Sequence, residues 1–532
     1  MALWQIVFWA GLAALLVLCM ILRPRRLEPG ETPSRLTLSP DGAWMLLLIG
    51  LGVLLRVTYA VYTGVTTRQH DVYTIEQAKG HAGYIYWFFQ NLRLPDFDPS
   101  SKSQFYHPPL HHFLAGLWMR LQVRFGTAEQ QALENVQVLT ELYSCLCLPV
   151  FAKLLRKLRL SGPALLLPLA VLCFTPEFAI MGGDINNDML MNLLVLCAFT
   201  AAVCWYEKPT FWRIGLTALF MGLGMMAKLS AALAAPAIAL LFLFRFFDRK
   251  KERGTVFLQF VLFAAICCPL GLWWPLYCKF RWDIPLGYVP RLSDSSTQFV
   301  GMHPVLERLF GFGKAFASPF IAWEGKYGHD YNEFNVFAGL LKTTLFDEYT
   351  LFRPEIKTVN TRPLAQAGLT ASKLMFRVNL VLIAASLFAA VRECILGIGG
   401  DEGKAAGAGA AAAKGAGAGK SAGAAAAKGA AKSAAMKLDA WRERLLPVSL
   451  LILAGVVLIS YVSFCFGFPH TCTMNARYTV PVTYAGLALF GLFLKRQEKN
   501  EVLGKIKMIA AFAVVTVFCV CGMIVILALG KQ

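Results

Sequence analysis

Apolar residues run along this chain in long blocks. They show neither the period-two alternation of strands nor the one-sided stripe of a surface helix. Blocks of about twenty apolar positions are long enough to cross the roughly 30 Å hydrocarbon core of a bilayer. They recur near residues 2–22, 43–62, 134–154, 163–183, 189–206, 211–228, 229–247, 255–275, 367–393, 446–467, 479–494 and 507–529. The pattern predicts an all-α polytopic membrane protein with about twelve transmembrane helices, in a range of about ten to fourteen. The pair flanking Lys228 reads equally well as one broken helix. The short alternating segments of a transmembrane barrel are absent. The first block has no positive n-region and exceeds a typical signal-peptide core, so it reads as a retained span.

Two long stretches between blocks, 63–133 and 276–366, are mixed in composition and rich in aromatics. Loops of that length are usually functional. Within the first, Pro108 to Arg120 has helical apolar spacing but is short for a span, which suits an amphipathic helix at the membrane surface. Residues 401–436 are almost wholly Ala, Gly and Lys without aromatics. That composition cannot bury a core and reads as a flexible linker. The expected divisions are an additional N-terminal helix and loop (1–42), a main transmembrane module (43–395), the linker (396–440) and C-terminal helices (441–532).

Composition sharpens this picture. The chain has 532 residues, 57% hydrophobic and only 16% charged, against about 25% charged in soluble domains. Its formal net charge of +19 would suggest nucleic acid in a soluble protein. Here it reads as topology. Arg23, Arg25 and Arg26, then Arg156, Lys157 and Arg159, then Arg249 to Arg253, then Lys495 and Arg496 fall in alternate loops. The positive-inside rule puts those loops in the cytoplasm and both long loops and both termini on the other side. No nucleic-acid partner is expected. The 14 cysteines lie mostly in apolar blocks. One bridge, Cys278 to Cys472, is conceivable because both lie near outer segments.

The candidate chemistry gathers on that same outer side. His70, His81, His107, His111, His112, His303, His329 and His470 all fall in outer loops. Asp71 follows the second block. Asp184 and Asp188 share the short turn Gly-Asp-Ile-Asn-Asn-Asp, although Asp and Asn also favour turns for backbone reasons. Asp71, Asp184, Glu324 and His329 are candidate ligands for Mg²⁺, Mn²⁺ or Zn²⁺, with Asp330 and Glu333 nearby. No spacing identifies a metal. Arg477, before Tyr478, stands alone at an outer interface. Its guanidinium matches phosphate geometry; an interfacial anchor is the competing account. Arg56 and Glu141 fall within spans and are expected to pair structurally.

These motifs, in this order and on one side, resemble the GT-C membrane glycosyltransferases. The likeness is to glycosyltransferase family 39, which includes protein O-mannosyltransferases and the aminoarabinose transferase of lipid A. It covers most of residues 43–494. The resemblance implies inverting transfer of a sugar from a polyprenyl-phosphate carrier to a protein, lipid or glycan acceptor. The active face would lie away from the cytoplasm, in a plasma membrane if bacterial or the endoplasmic reticulum if eukaryotic. It implies Asp71 as general base and Asp184 or Asp188 as a second acidic site. It implies Arg477, His107, Tyr478 and His70 as binders of the carrier phosphate. The additional first span and the 401–436 insert depart from the pattern. Trp273-Trp274 is followed by Pro275, not by the Asp of oligosaccharyltransferases. Two other readings compete. A secondary transporter would show related halves and a midplane polar site. A structural scaffold would need no aligned carboxylate, histidine and arginine set.

Overall fold

A computed structural model describes residues 9–15, 17, 39–248, 252–321, 333–349, 351–352, 363–398, 422–497 and 502–530. Among these there is no β-strand, only one isolated bridge between Phe299 and His470. Eight helices are long and apolar enough to cross a membrane, or up to ten if each of two bent pairs counts as one span. The protein is therefore a multi-pass, all-helical membrane protein, as its apolar blocks require. Most of block 2–22 lies outside the described residues; residues 9–15 within it are helical.

The principal helices are α1 (Pro40–Tyr62), α2 (Gly80–Asn91), α3 (Leu110–Arg124), α4 (Val136–Lys157), α5 (Gly162–Phe174), α6 (Pro176–Gly183), α7 (Asp188–Glu207) and α8 (Phe211–Ala227). They continue as α9 (Ala235–Asp248), α10 (Arg253–Trp282), α11 (Val336–Phe346), α12 (Pro363–Ile398), α13 (Ala422–Gly467), α14 (Val480–Gln497) and α15 (Leu503–Leu529). Helix α13 begins inside the Ala/Gly/Lys stretch, so part of the segment expected as a structureless linker is helical. Alanine is the best helix former, and the stretch is continuous with a span.

Apolar side chains gain nothing by leaving lipid, so these helices associate by close packing. Helix α8 packs against α7 and α10. Gly222 on α8 and Gly271 on α10 make the second contact close. A Cβ on either would come within 2.8 Å of the facing helix, at Leu270 and Met225 respectively.

Helices α5 and α6 meet at a 46° bend. Pro176 causes it: lacking an N–H, it leaves the Leu172 carbonyl without its helical partner. Arg56 on α1 fills the gap. Its guanidinium donates to the carbonyls of Leu172 (3.3 Å), Cys173 (3.0 Å) and Gly52 (3.0 Å), and its Nε to Ser144 Oγ (2.8 Å). The expected ion pair with Glu141 is not formed, because the freed carbonyls at the bend occupy the guanidinium. Arg56→Met is expected to destabilise the protein by about 3 kcal/mol, since hydrogen bonds to a buried charged donor are lost together. Thermal unfolding in detergent measures it.

The ends of the bundle differ. Lys157 pairs with Glu207 at 2.5 Å where α4 and α7 finish, and Arg245 pairs with Glu252 nearby in sequence. At the opposite end, α1, α6 and α8 finish and α7 and α14 begin, and the two long loops cover them. In the first loop α3 crosses α2 tightly: a Cβ on Gly116 would meet Phe88 and Phe89 at 2.8 Å. The expected amphipathic helix is thus present, with His111, His112, Ala115 and Met119 buried and Leu117 and Leu121 exposed. The second loop is pinned by backbone bonds from Val300 to Pro469 (2.9 Å) and from Thr471 to Gln298 (2.8 Å).

Candidate functional site

The loop after α1 is held rigidly although it has no regular structure. Arg68, Asp71 and Tyr73 all adopt left-handed backbone angles, with φ of 55°, 53° and 57°. Such angles are costly for residues with side chains and persist only where surroundings impose them. The constraints are visible. The Gln69 amide donates to the Gly183 carbonyl (2.7 Å) and accepts from Ile185 N–H (3.0 Å). His70 N–H donates to Asp184 Oδ2 (3.2 Å). The carbonyls of Asp71 and Val72 accept from His81 and Ala82 (3.0 and 3.1 Å) in the first turn of α2. Gly80 permits this approach, because at φ +71° any Cβ would lie 2.4 Å from the Asp71 carbonyl.

The backbone of Asp71 is thereby fixed while its side chain is exposed, and its carboxylate makes no hydrogen bond among the described residues. It lies within electrostatic reach of Arg477, Tyr478 and Tyr106. Arg477 is buried, only 7% exposed. Its backbone N–H is held by Asn475 Oδ1 (2.8 Å) and one terminal nitrogen donates to Tyr478 Oη (2.9 Å). Its Nε has no partner, and no carboxylate pairs with it among the described residues. Asp188, Asp71 and Glu348 sustain its charge from beyond ion-pair distance, so its unpartnered Nε is open to an anionic ligand.

Lys228 completes the arrangement. It caps α8 where the chain breaks into a short 3₁₀ turn, and its ammonium pairs with Asp188 at the start of α7. Lys228 also lies over the Tyr478 ring, 5.2 Å from its centroid. Lys228, Tyr478, Tyr106 and His107 line one end of a cavity of about 380 Å³. The rest of its wall is mainly apolar, including Leu229, Leu233, Trp274, Val457 and Phe464. Arg477 backs Tyr478 just outside that lining.

Five of the eight histidines divide into two groups. His70 Nε2 lies 2.8 Å from Asp347 and Nδ1 3.5 Å from Glu348. Burial and Arg477 act to lower its pKa, but the two carboxylates outweigh them and hold it well above the ordinary histidine value. Asp347 is held below the usual carboxylate range, because His70, Arg477 and the Asn475 amide outweigh burial. His70 is therefore an anchor between two loops, away from the cavity lining. The second group is His81, His107, His111 and His112. His81 Nδ1 lies 2.9 Å from His112 Nε2 and its ring stacks near His107. Burial, then Lys228, pushes His107 down to about 3, and burial pushes His111 down to about 4. His107 is thus a neutral imidazole near neutral pH.

Asp184 is buried and pushed up to about 8 by desolvation. Its Oδ2 accepts from His70 N–H and the Asn186 amide (2.6 Å). Glu333 is buried against Lys342 at 2.6 Å. Among the described residues no three His, Cys, Asp or Glu side chains converge to hold a metal; Glu324, His329 and Asp330 lie outside them. Cys278 and Cys472 are both free thiols, so the conceivable bridge is absent.

The His70 pair gives a pH prediction. A raised histidine pKa contributes stability that is fully present below about pH 6.5 and lost as pH rises through the elevated value. Wild type should exceed His70→Gln by about 3 kcal/mol near neutrality. The difference should shrink in alkaline solution, as read by melting temperature across a pH series. An advantage independent of pH would mean that the pair is not ionic.

Asp184 and Asp188 both feel Arg477, and Asp71 acts on Arg477 in turn. Asp347, Glu348, Asn475 and Lys228 had not been read as site residues. Lys228, as a lone cation between two apolar blocks, is the one of these with a signal in the sequence.

Residues 106–274 match the model of a family described as dolichyl-phosphate-mannose-protein mannosyltransferase. The stretch contains His107, Asp184, Asp188 and Lys228, whereas Asp71, Asp347 and Arg477 lie outside it. The resemblance to membrane glycosyltransferases is borne out over this stretch. Among solved structures, the chain is similar to the archaeal oligosaccharyltransferase AglB from Archaeoglobus fulgidus, in complex with an inhibitory peptide and a dolichol-phosphate. That match has a TM-score of 0.44 and 12% identity, covering 92% of this chain and 56% of that one. The chain thus spans little more than half the length of AglB. A second similar structure is ArnT from Cupriavidus metallidurans in the apo state, with a TM-score of 0.29 and 12% identity over 93% of this chain and 79% of that one. No curated protein matches the chain.

Proposed function

We propose that the protein is a membrane glycosyltransferase that moves a sugar from a polyprenyl-phosphate carrier to an acceptor hydroxyl, with inversion at the anomeric carbon. The observation that carries this is the buried, ion-pair-free guanidinium of Arg477. It lies within electrostatic reach of the open carboxylate of Asp71 and donates to Tyr478, which with Lys228 lines a largely apolar cavity. The description of the family matched by residues 106–274, which names a dolichyl-phosphate sugar, supports the donor class.

In this reading the prenyl chain lies along the Leu233, Val457 and Phe464 wall, and the phosphate sits at the Lys228–Tyr478 end. The acceptor oxygen attacks the anomeric carbon and gives its proton to Asp71. The bond from that carbon to the phosphate oxygen breaks, and its electron pair leaves with the phosphate. Arg477 and Lys228 stabilise the charge that develops there. No step is assigned to a metal. The basic loops at the other end of the bundle support an active face away from the cytoplasm.

Purified protein offered a panel of polyprenyl-phosphate hexoses and pentoses, with protein and glycan acceptors, should release sugar from at least one carrier. Absence of release from every carrier, by protein that is folded and reconstituted, would refute the reading. A secondary transporter would place its charged groups on a path between related halves. Here most buried charges gather at one end, and Arg56 in the interior is spent on backbone carbonyls.

A further inference from the structure

We propose that Asp347 is a positioning residue that ties the loop carrying Asp71 to the turn carrying Arg477, and so sets the spacing between proton acceptor and phosphate holder. The inference rests on the proposed transfer reaction, because it concerns the residues assigned to that site.

Asp71 and Arg477 stand on segments near opposite ends of the chain. His70 immediately precedes Asp71, and Asn475 lies two positions before Arg477. Asp347 bonds to both of these neighbours. Its Oδ2 accepts from His70 Nε2 (2.8 Å) and its Oδ1 from the Asn475 amide (2.5 Å). Asn475 Oδ1 in turn accepts from Arg477 N–H (2.8 Å). One carboxylate thus places one oxygen on each segment. It is 1% exposed, which shields both bonds from water.

Helix α11 is the base from which Asp347 works. Asp347 ends that helix, its N–H donating to the Thr343 carbonyl (3.2 Å). The Thr343 hydroxyl accepts from Ala476 N–H (2.8 Å), beside Arg477. Gly339, one turn earlier, lets α11 approach the same segment: a Cβ there would lie 2.8 Å from Met474. The Ala476–Tyr478 turn therefore packs with α11 as one unit, and the Asp347 carboxylate joins the Asp71 loop to that unit through His70.

The backbone of Asp347 is strained, and these bonds account for it. At φ 54° and ψ −156° it occupies a region that residues with a side chain rarely adopt. Such an angle persists only where the surroundings hold it. Three donors hold this carboxylate: His70, Asn475 and Glu348 N–H (2.6 Å). Asp347 does not line the cavity, so it acts through its neighbours and not on the substrate. Displacing a reacting group by about 1 Å can cost roughly 100-fold in rate.

The test uses full-length protein in nanodiscs, with undecaprenyl phosphate and dolichyl phosphate as binding probes. Asp347→Asn keeps the size of the side chain and is expected to weaken binding of the better probe about tenfold. In an Arg477→Ala background it should weaken binding no further, since the group it positions is gone. Destabilisation alone would lower the melting temperature without this dependence on Arg477. Turnover at saturating sugar-loaded carrier should fall about tenfold to 100-fold. Asn475→Ala cuts the link on the Arg477 side and leaves the His70 pair in place. It serves if the first variant fails to fold, with the same expected loss of binding. Unchanged binding in both variants, an equal loss with and without Arg477, or undiminished turnover would overturn the inference. If wild-type protein binds neither probe, the reading of the site falls and this inference with it. If wild type binds and the variants match it, only this inference falls.

Discussion

Asp71→Asn should abolish sugar transfer, lowering turnover by about 10³- to 10⁴-fold, while membrane insertion and carrier binding remain. The substitution keeps the size of the side chain. The loop that positions it is held through backbone atoms and through Gln69 and His70, none of which depends on the Asp71 carboxylate. What disappears is an exposed carboxylate that makes no hydrogen bond among the described residues and is open to receive an acceptor proton. Turnover and the apparent affinity for the carrier must both be measured. Near-normal turnover would remove Asp71 as the base. Loss of carrier affinity instead of turnover would reassign it to binding.

Arg477→Ala should weaken carrier binding by about 100-fold, from about 3 kcal/mol for one desolvated, hydrogen-bonded charge contact. The guanidinium sits in a short 3₁₀ turn of Ala476–Tyr478, fixed by Asn475 below and Thr343, whose hydroxyl accepts from Ala476 N–H at 2.8 Å. Arg477→Lys should recover only part of the loss, because an ammonium cannot reproduce the planar donor fork. A saturation curve against carrier concentration reads the effect. Unchanged affinity would count against the phosphate role and favour an interfacial anchor.

Arg477 and Lys228 show how a site can be partly legible in a sequence. A lone arginine at an outer interface breaks the charge asymmetry of the loops, so it is noticeable from the chain alone. Lys228 is equally isolated, yet between two apolar blocks it reads first as a helix break. Its partner Asp188 lies forty positions earlier, and only the return of α8 to the start of α7 brings them together. The Arg56–Glu141 expectation failed for a related reason. The sequence shows two opposite charges in neighbouring spans, but not that Pro176 would free a carbonyl beside one of them.

The sequence alone determined that the protein is a multi-pass helical membrane protein, and it gathered the candidate chemistry in one set of loops. Apolar block length against bilayer thickness decides that a segment spans, and loop charge decides its orientation; both are local quantities summed along the chain. It determined too that Asp71, Asp184, Asp188 and Arg477 lie at one level, since each adjoins a block end on the same side. The tertiary structure alone decided their states. Desolvation and neighbouring charge depend on what other helices bring near. Those surroundings make His107 neutral and keep His70 charged, tie Asp188 to Lys228, and leave Arg477 without a contact ion pair near an open Asp71.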